Sequence, residues 1–171
     1  RVVNLVGEGF DVGIGSRVDP DSRLVGRPLY PMHMALAASP DYLARRGEPQ
    51  TPHDLLRHDC LLHRNPSNGR HVKWQLRHQG ETLALDLNGR LVVSRPEMLL
   101  DAALAGLGIV NLARWYLDKH FEQGTLRPVL AECWPRPVQL WLYYASADLP
   151  PRVRVWVDFL LEHFRDRPTG D

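Results

Sequence analysis

With 171 residues, 44% of them hydrophobic, the chain can bury a core as one domain or two small lobes, which excludes disorder as its main state. Its 21 basic and 20 acidic residues leave a formal net charge of +1, too balanced for an electrostatic grip on nucleic acid or an anionic membrane. Cys60 and Cys133 stand far apart and outside any C-x-x-C arrangement, so neither a disulfide framework nor a zinc site is indicated and a reducing cytoplasm is the expected compartment.

Val2, Val3, Leu5 and Val6 cluster and close at Gly9 as a helix end does; with no initiator Met and no leader pattern, the chain is expected to start inside a domain. Phe10 to Ile14 reads as a strand, followed by the polar turn SRVDPDSR from Ser16 to Arg23. The glycines from Gly7 to Gly15 have the wrong spacing for a dinucleotide fingerprint and no amphipathic helix follows, so no cofactor is expected. Leu24 to Ala38, interrupted by Pro28 and Pro31, is an extended segment ending in a strand. Ser39-Pro40 and Thr51-Pro52 each cap a short helix, the first closed by Gly47. Cys60 to Leu62 is a brief strand, His63 to Arg70 a polar loop, and the alternation of Trp74 and Leu76 with Leu83, Leu85 and Leu87 around Gln79-Gly80 predicts a β-hairpin.

The most informative stretch is Leu91 to Leu112, which reads as one βαβ unit. Leu91 to Val93 is a strand, and Ser94 with Glu97 forms the S-x-x-E pattern of a capped helix start. Met98 to Ala105 is a mostly buried helix, Gly106 and Gly108 end it with left-handed backbone, and Ile109 to Leu112 is a covered parallel strand. Beyond it lie a helix from Trp115 to Gln123 ended by Gly124, and a strand from Leu126 to Leu130 whose Pro128 puts it near an edge. Val138 to Ala145 is a strand for the sheet interior. Pro150-Pro151 then opens an amphipathic helix carrying Val153, Trp156, Val157, Leu160, Leu161 and Phe164 on one face, and RDRPTGD should fray.

Chemistry is sparse. His53, His58 and His63 are five apart, which does not match metal-ligand spacing, and no nucleophile elbow, H-E-x-x-H or P-loop occurs, so no metal site, no catalytic residue and no enzyme is expected. Trp74, Trp141 and Trp156 sit in core patterns. What remains is polar groups at strand ends, where α/β folds bind ligands: Ser16 and Arg17, then His63, Arg64 and Asn65, then Ser94 and Arg95.

The order of the pieces resembles the effector-binding (substrate-binding) domain of LysR-type transcriptional regulators. LVGEGFDVGIG is similar to the family's L-x-x-G-x-x-D-x-x-I segment, Ser39 to Leu43 to S-P-x-Y-L, and Thr51 to Leu61 to T-P-x-D-L followed by H-x-C-L. Trp74, Ala102 to Ile109 as A-A-x-A-G-x-G-I, Gly124 to Leu126 as G-x-L, and Arg152 to Leu160 as the closing R-V-x-x-F-x-x-F-L follow in family order. The resemblance implies an α/β fold of the two-lobe, type 2 periplasmic-binding-protein kind. Residues 1–37 and 140–171 would form an incomplete lobe one, residues 38–139 lobe two, and a small-molecule cleft would lie at their interface.

It also implies a non-enzymatic, cytoplasmic ligand-sensing domain that reaches promoter DNA only through an absent N-terminal winged helix-turn-helix, and that works as a homo-oligomer without a membrane partner. The alternative is a periplasmic solute-binding protein of the same fold. By family position Asn111 joins the candidate effector set of Ser16, Arg17, His63, Arg64, Asn65, Ser94 and Arg95. Gly15 stands where the family commonly carries an arginine, and Arg17 is near enough to replace that charge. Several of these groups are cationic or can be, and a helix start favours anions by about 0.3 to 1 kcal/mol, so the expected effector is a small organic acid.

Overall fold

A computed structural model describes residues 9–16, 24–65, 68–144 and 149–165. In chain order it holds β1 (Val12–Gly15), β2 (Val25–Met32), β3 (Met34–Ala38), α1 (Pro40–Arg46), a 3-10 turn (Pro52–Arg57), β4 (Cys60–His63), β5 (Trp74–His78) and β6 (Glu81–Leu85). Then come β7 (Gly89–Val93), α2 (Pro96–Leu104), β8 (Ile109–Ala113), α3 (Arg114–Glu122), β9 (Arg127–Val129), a second 3-10 turn (Ala131–Cys133), β10 (Val138–Tyr144) and α4 (Pro151–Arg165). The chain divides into two units, one of Arg1–Met32 with Pro137–Asp171 and one of His33–Arg136.

In the first unit β10 is the central strand of the sheet β1-β10-β2, as its aromatic and branched composition leads one to expect, and it runs antiparallel to both neighbours. One face of this sheet is covered by α4, where Leu142, Tyr144, Val153 and Val157 are buried together. Trp156 is a correction: it is 48% exposed, because it lies off the stripe formed by Val153, Val157, Leu160 and Leu161 that meets the sheet. The proposed helix end at Val2 to Val6, most of the turn from Ser16 to Arg23, Ala145 and the tail after Arg165 lie outside the described residues.

The second unit is built on the five-stranded sheet β7-β4-β8-β3-β9, in which β4 is parallel to β7 and β8 while β3 is antiparallel to β8 and β9. Strands β7 and β8 therefore flank β4, and the βαβ crossover through α2 skips one strand. Pro128 sits in β9, an edge strand. On one face Leu61, Val110 and Leu112 pack with Leu99, Ala103 and Leu117 from α2 and α3. On the other, Leu36, Leu62 and Ile109 pack with Tyr42 and Leu43 from α1, Leu55 from the first 3-10 turn, and Trp74, Leu76 and Leu85 from the β5/β6 hairpin.

Two local expectations about the central unit are corrected. Arg95, not Ser94, occupies the N-cap of α2, and no side chain caps that end. Pro96 at the first helical position drives the preceding residue into extended backbone, and Arg95 has φ −114° and ψ 123°. Gly106 does end the helix in left-handed backbone, φ 74°, with Gly106 N–H donating to Ala103 O and Leu107 N–H to Ala102 O, the paired bonds of a Schellman ending. Gly108 has no positive φ; it is there because a Cβ would meet the backbone carbonyl of Asp59.

The motif around Tyr42 is explained by one hydroxyl. Asp59 N–H donates to Tyr42 Oη at 2.9 Å, and Tyr42 Oη lies 3.1 Å from His58 Nδ1, a nitrogen to which the phenol donates when the ring is neutral and protonated on Nε2. Burial, and after it the nearby Arg46 charge, hold the His58 pKa below its usual value. An unfolded chain therefore takes up this proton first as pH falls, so the contribution is whole above the unfolded pKa and lost as pH drops toward the folded one. Urea midpoints measured from about pH 7.5 to about pH 5.5 are expected to fall more in the native chain than in His58→Gln; equal slopes would remove His58 from the account.

Candidate functional site

Because β4, β7 and β8 are parallel, their C-terminal ends share one end of the second unit's sheet, and β3 begins at that same end after His33. Helices α2 and α3 start there too, each without a side-chain cap, so free N–H groups and partial positive charge face that end. Parallel pairing joins His63 to Val93, thirty residues on: Arg64 N–H donates to Val93 O at 2.7 Å, and His63 Nε2 lies 3.1 Å from Ser94 O. A carbonyl can only accept, so His63 carries its proton on Nε2 and presents Nδ1.

Five of the sequence-predicted residues, His63, Arg64, Asn65, Ser94 and Arg95, are thereby brought together. Arg64 is exposed, bridges to His71 through its backbone, and has no side-chain ion pair among the described residues. Asn65 N–H donates to Arg70 O, and the exposed Arg95 stands 3.8 Å from Glu97. Asn111 lies one row inside the edge on β8, paired with Leu36, and its Oδ1 is buried without a hydrogen-bond partner. Ser16 follows β1 in the first unit and is exposed, and Arg17 lies outside the described residues.

Sequence reasoning missed His33 and Arg114 at the same end. Arg114 N–H donates to His33 O at 2.9 Å, Arg114 Nε reaches Asp118 Oδ1 at 2.9 Å, and His33 Nε2 is a second buried polar atom without a partner. Only the Arg114/Asp118 spacing of four was a signal in the sequence. Buried unsatisfied atoms are few in folded proteins, and Asn111 Oδ1 and His33 Nε2 are two of them.

The thiols offer no reactive chemistry. Burial, with the Asp59 charge adding to it, pushes Cys60 up to about 12, and burial raises Cys133 as well. Neither should react with an aromatic disulfide reagent until the chain is unfolded; rapid native labelling of Cys60 would contradict its burial. Among the described residues no group of three His, Cys, Asp or Glu could hold a metal ion, and no helix is long and apolar enough to cross a membrane.

The family profile of the LysR substrate binding domain matches residues 1–165. An uncharacterized HTH-type transcriptional regulator of Haemophilus influenzae is 34% identical over 154 residues, covering 90% of this chain and 53% of that protein. The HTH-type transcriptional regulator CrgA of Neisseria meningitidis serogroup B is 31% identical over 171 residues, covering 98% and 56%. The chain thus spans about half the length of the curated relatives it matches. Among solved structures, the CrgA regulatory domain superposes with a TM-score of 0.81 at 30% identity, covering 95% of this chain and 79% of that one. The full-length Vibrio cholerae virulence activator AphB gives 0.81 at 30%, covering 96% and 55%. These relatives are transcriptional regulators, and the solute-binding alternative finds no support among them. With its type 2 periplasmic-binding-protein-like fold, the chain belongs to the LysR substrate binding domain family.

Proposed function

We propose that this chain is the ligand-sensing part of a cytoplasmic LysR-type regulator, without enzymatic activity, and that the strand-end edge of its second unit contacts a small organic acid. The observation that carries this reading is the meeting of His63, Arg64, Ser94 and Arg95 at an edge where two helices begin, with Asn111 on the neighbouring β8 keeping its Oδ1 buried and without a hydrogen-bond partner. Arg64 supplies the charge-assisted contact to a carboxylate, and the α2 N-terminus adds backbone donors. Asn111 Oδ1 accepts from a hydroxyl or amine on the same ligand. DNA recognition and the response to effector belong to a full-length regulator, in which a winged helix-turn-helix reads the promoter. Self-association has support in β1, which has no strand on its outer side among the described residues.

The test is a thermal-shift screen of small carboxylic acids, followed by calorimetry on the best binder. Arg64→Ala is expected to weaken it by about tenfold, equivalent to about 1.4 kcal/mol. Affinity unchanged within about threefold would remove Arg64 from the site.

A further inference from the structure

Beyond the end of β4, Arg64 is held in a short backbone ladder. Val72 N–H donates to His63 O at 2.8 Å and Asn65 N–H to Arg70 O at 2.8 Å, and between these bonds Arg64 and His71 face each other across an antiparallel bridge. Directly opposed residues project to the same side of such a ladder, so His71 is the side-chain neighbour of Arg64.

His71 is in turn tied to the β5/β6 hairpin. Its Nε2 lies 2.6 Å from Asp86 Oδ1, and because a carboxylate can only accept, Nε2 carries the proton. Lys73 Nζ takes the other oxygen, Asp86 Oδ2, at 3.0 Å. Lys73 and His71 are two residues apart, the spacing at which an extended chain returns to one side, so one carboxylate spans both. Their hydrogen bonds, that of His71 first, hold the Asp86 carboxyl below the usual carboxylate range, and it is ionised at neutral pH. Asp86 is itself exposed, but its backbone is fixed between Leu85 and Leu87, both buried in one core cluster with Trp74, and Leu85 pairs with Trp74 in the hairpin ladder.

We propose that Asp86, acting through His71, positions Arg64 for the organic acid; this rests on the function proposed above for Arg64. Asp86 is a positioning residue: its two oxygens are engaged by His71 and Lys73. Arg64 and His71 are both basic, and like charges directly opposite push apart, so the carboxylate also keeps His71 from displacing Arg64. The consequence runs against simple Coulomb attraction. Deleting a negative charge near an anion site should tighten anion binding, whereas deleting a positioning residue should weaken it. An exposed ion pair contributes little to global stability, so the effect belongs to the ladder and to binding.

The test uses the whole 171-residue chain, isotope-labelled, as the native protein, Asp86→Ala, His71→Ala, the double variant and Asp86→Glu. Amide exchange is measured first, without ligand. In Asp86→Ala the Asn65 and Val72 N–H groups should exchange about tenfold faster, while Arg64 N–H, held by Val93 O, keeps its native rate. The double variant should be no worse than the worse single variant, because both act through one bond, and Asp86→Glu should recover most of the protection. Urea midpoints should match the native value throughout. Calorimetry with acetate and succinate as probes follows, and Asp86→Ala should weaken whichever binds by about fivefold or more. Native exchange rates at Asn65 and Val72 in Asp86→Ala, additive effects in the double variant, or tighter acid binding in Asp86→Ala would overturn the positioning role. Failure of both acids to bind the native chain would count against the organic-acid reading, and the exchange rates would still decide whether Asp86 holds the ladder.

Discussion

Gly108→Ala is expected to cost roughly 3 kcal/mol of stability, the upper part of the range for forced overpacking. The new Cβ would land on the carbonyl oxygen of Asp59. That oxygen accepts the Ile109 N–H at 2.9 Å, so it cannot retreat without giving up the bond that ties the start of β8 to the start of β4. Gly124→Ala is the control: its φ of 69° strains any L-residue, but nothing lies within 4 Å of its Cβ position. It should cost only about 1 to 2 kcal/mol from left-handed backbone alone. Urea unfolding at constant m-value measures both, and a Gly108→Ala midpoint no lower than that of Gly124→Ala would contradict the close approach.

Leu99→Ala should lose about 2 to 5 kcal/mol, whereas Met98→Ala, one residue earlier on the same helix, should stay within about 0.5 kcal/mol of the native chain. Leu99 is 0% exposed and fills the space among Leu61, Val110, Leu112 and Leu117, while Met98 is 50% exposed. The contrast follows from a 3.6-residue period that turns adjacent side chains about 100° apart. Equal losses at the two positions would mean that α2 is docked in another rotation.

How much of this was legible depended on whether the cause was local. Pro128 announced an edge strand, Gln79-Gly80 a hairpin turn, and the apolar β-rich run before Ala145 a central strand, because each signal acts within a few residues. The helix cap was misplaced by one residue because the S-x-x-E pattern was weighed without the constraint that Pro96 puts on Arg95. Trp156 was misread because a helical apolar pattern says which residues share a face and not how wide a strip the sheet covers. In the candidate site, the polar residues at strand ends were visible one loop at a time. That His63 meets Ser94, or that Asn111 and His33 keep buried polar atoms without partners, depends on strand order, which no short motif encodes. The Tyr42 hydroxyl is a similar case: the family motif marks it, and only the fold shows that it holds Asp59 N–H and the His58 ring.

The central claim is that the strand-end edge of the second unit takes a small organic acid, and backbone and side-chain resonance mapping during a carboxylate titration tests it most directly. The account predicts saturable shifts at His63, Arg64, Ser94, Arg95 and Asn111, with His63 Nδ1 and the Asn111 side-chain amide moving together. A tight-binding carboxylate that leaves those five residues unperturbed would contradict it.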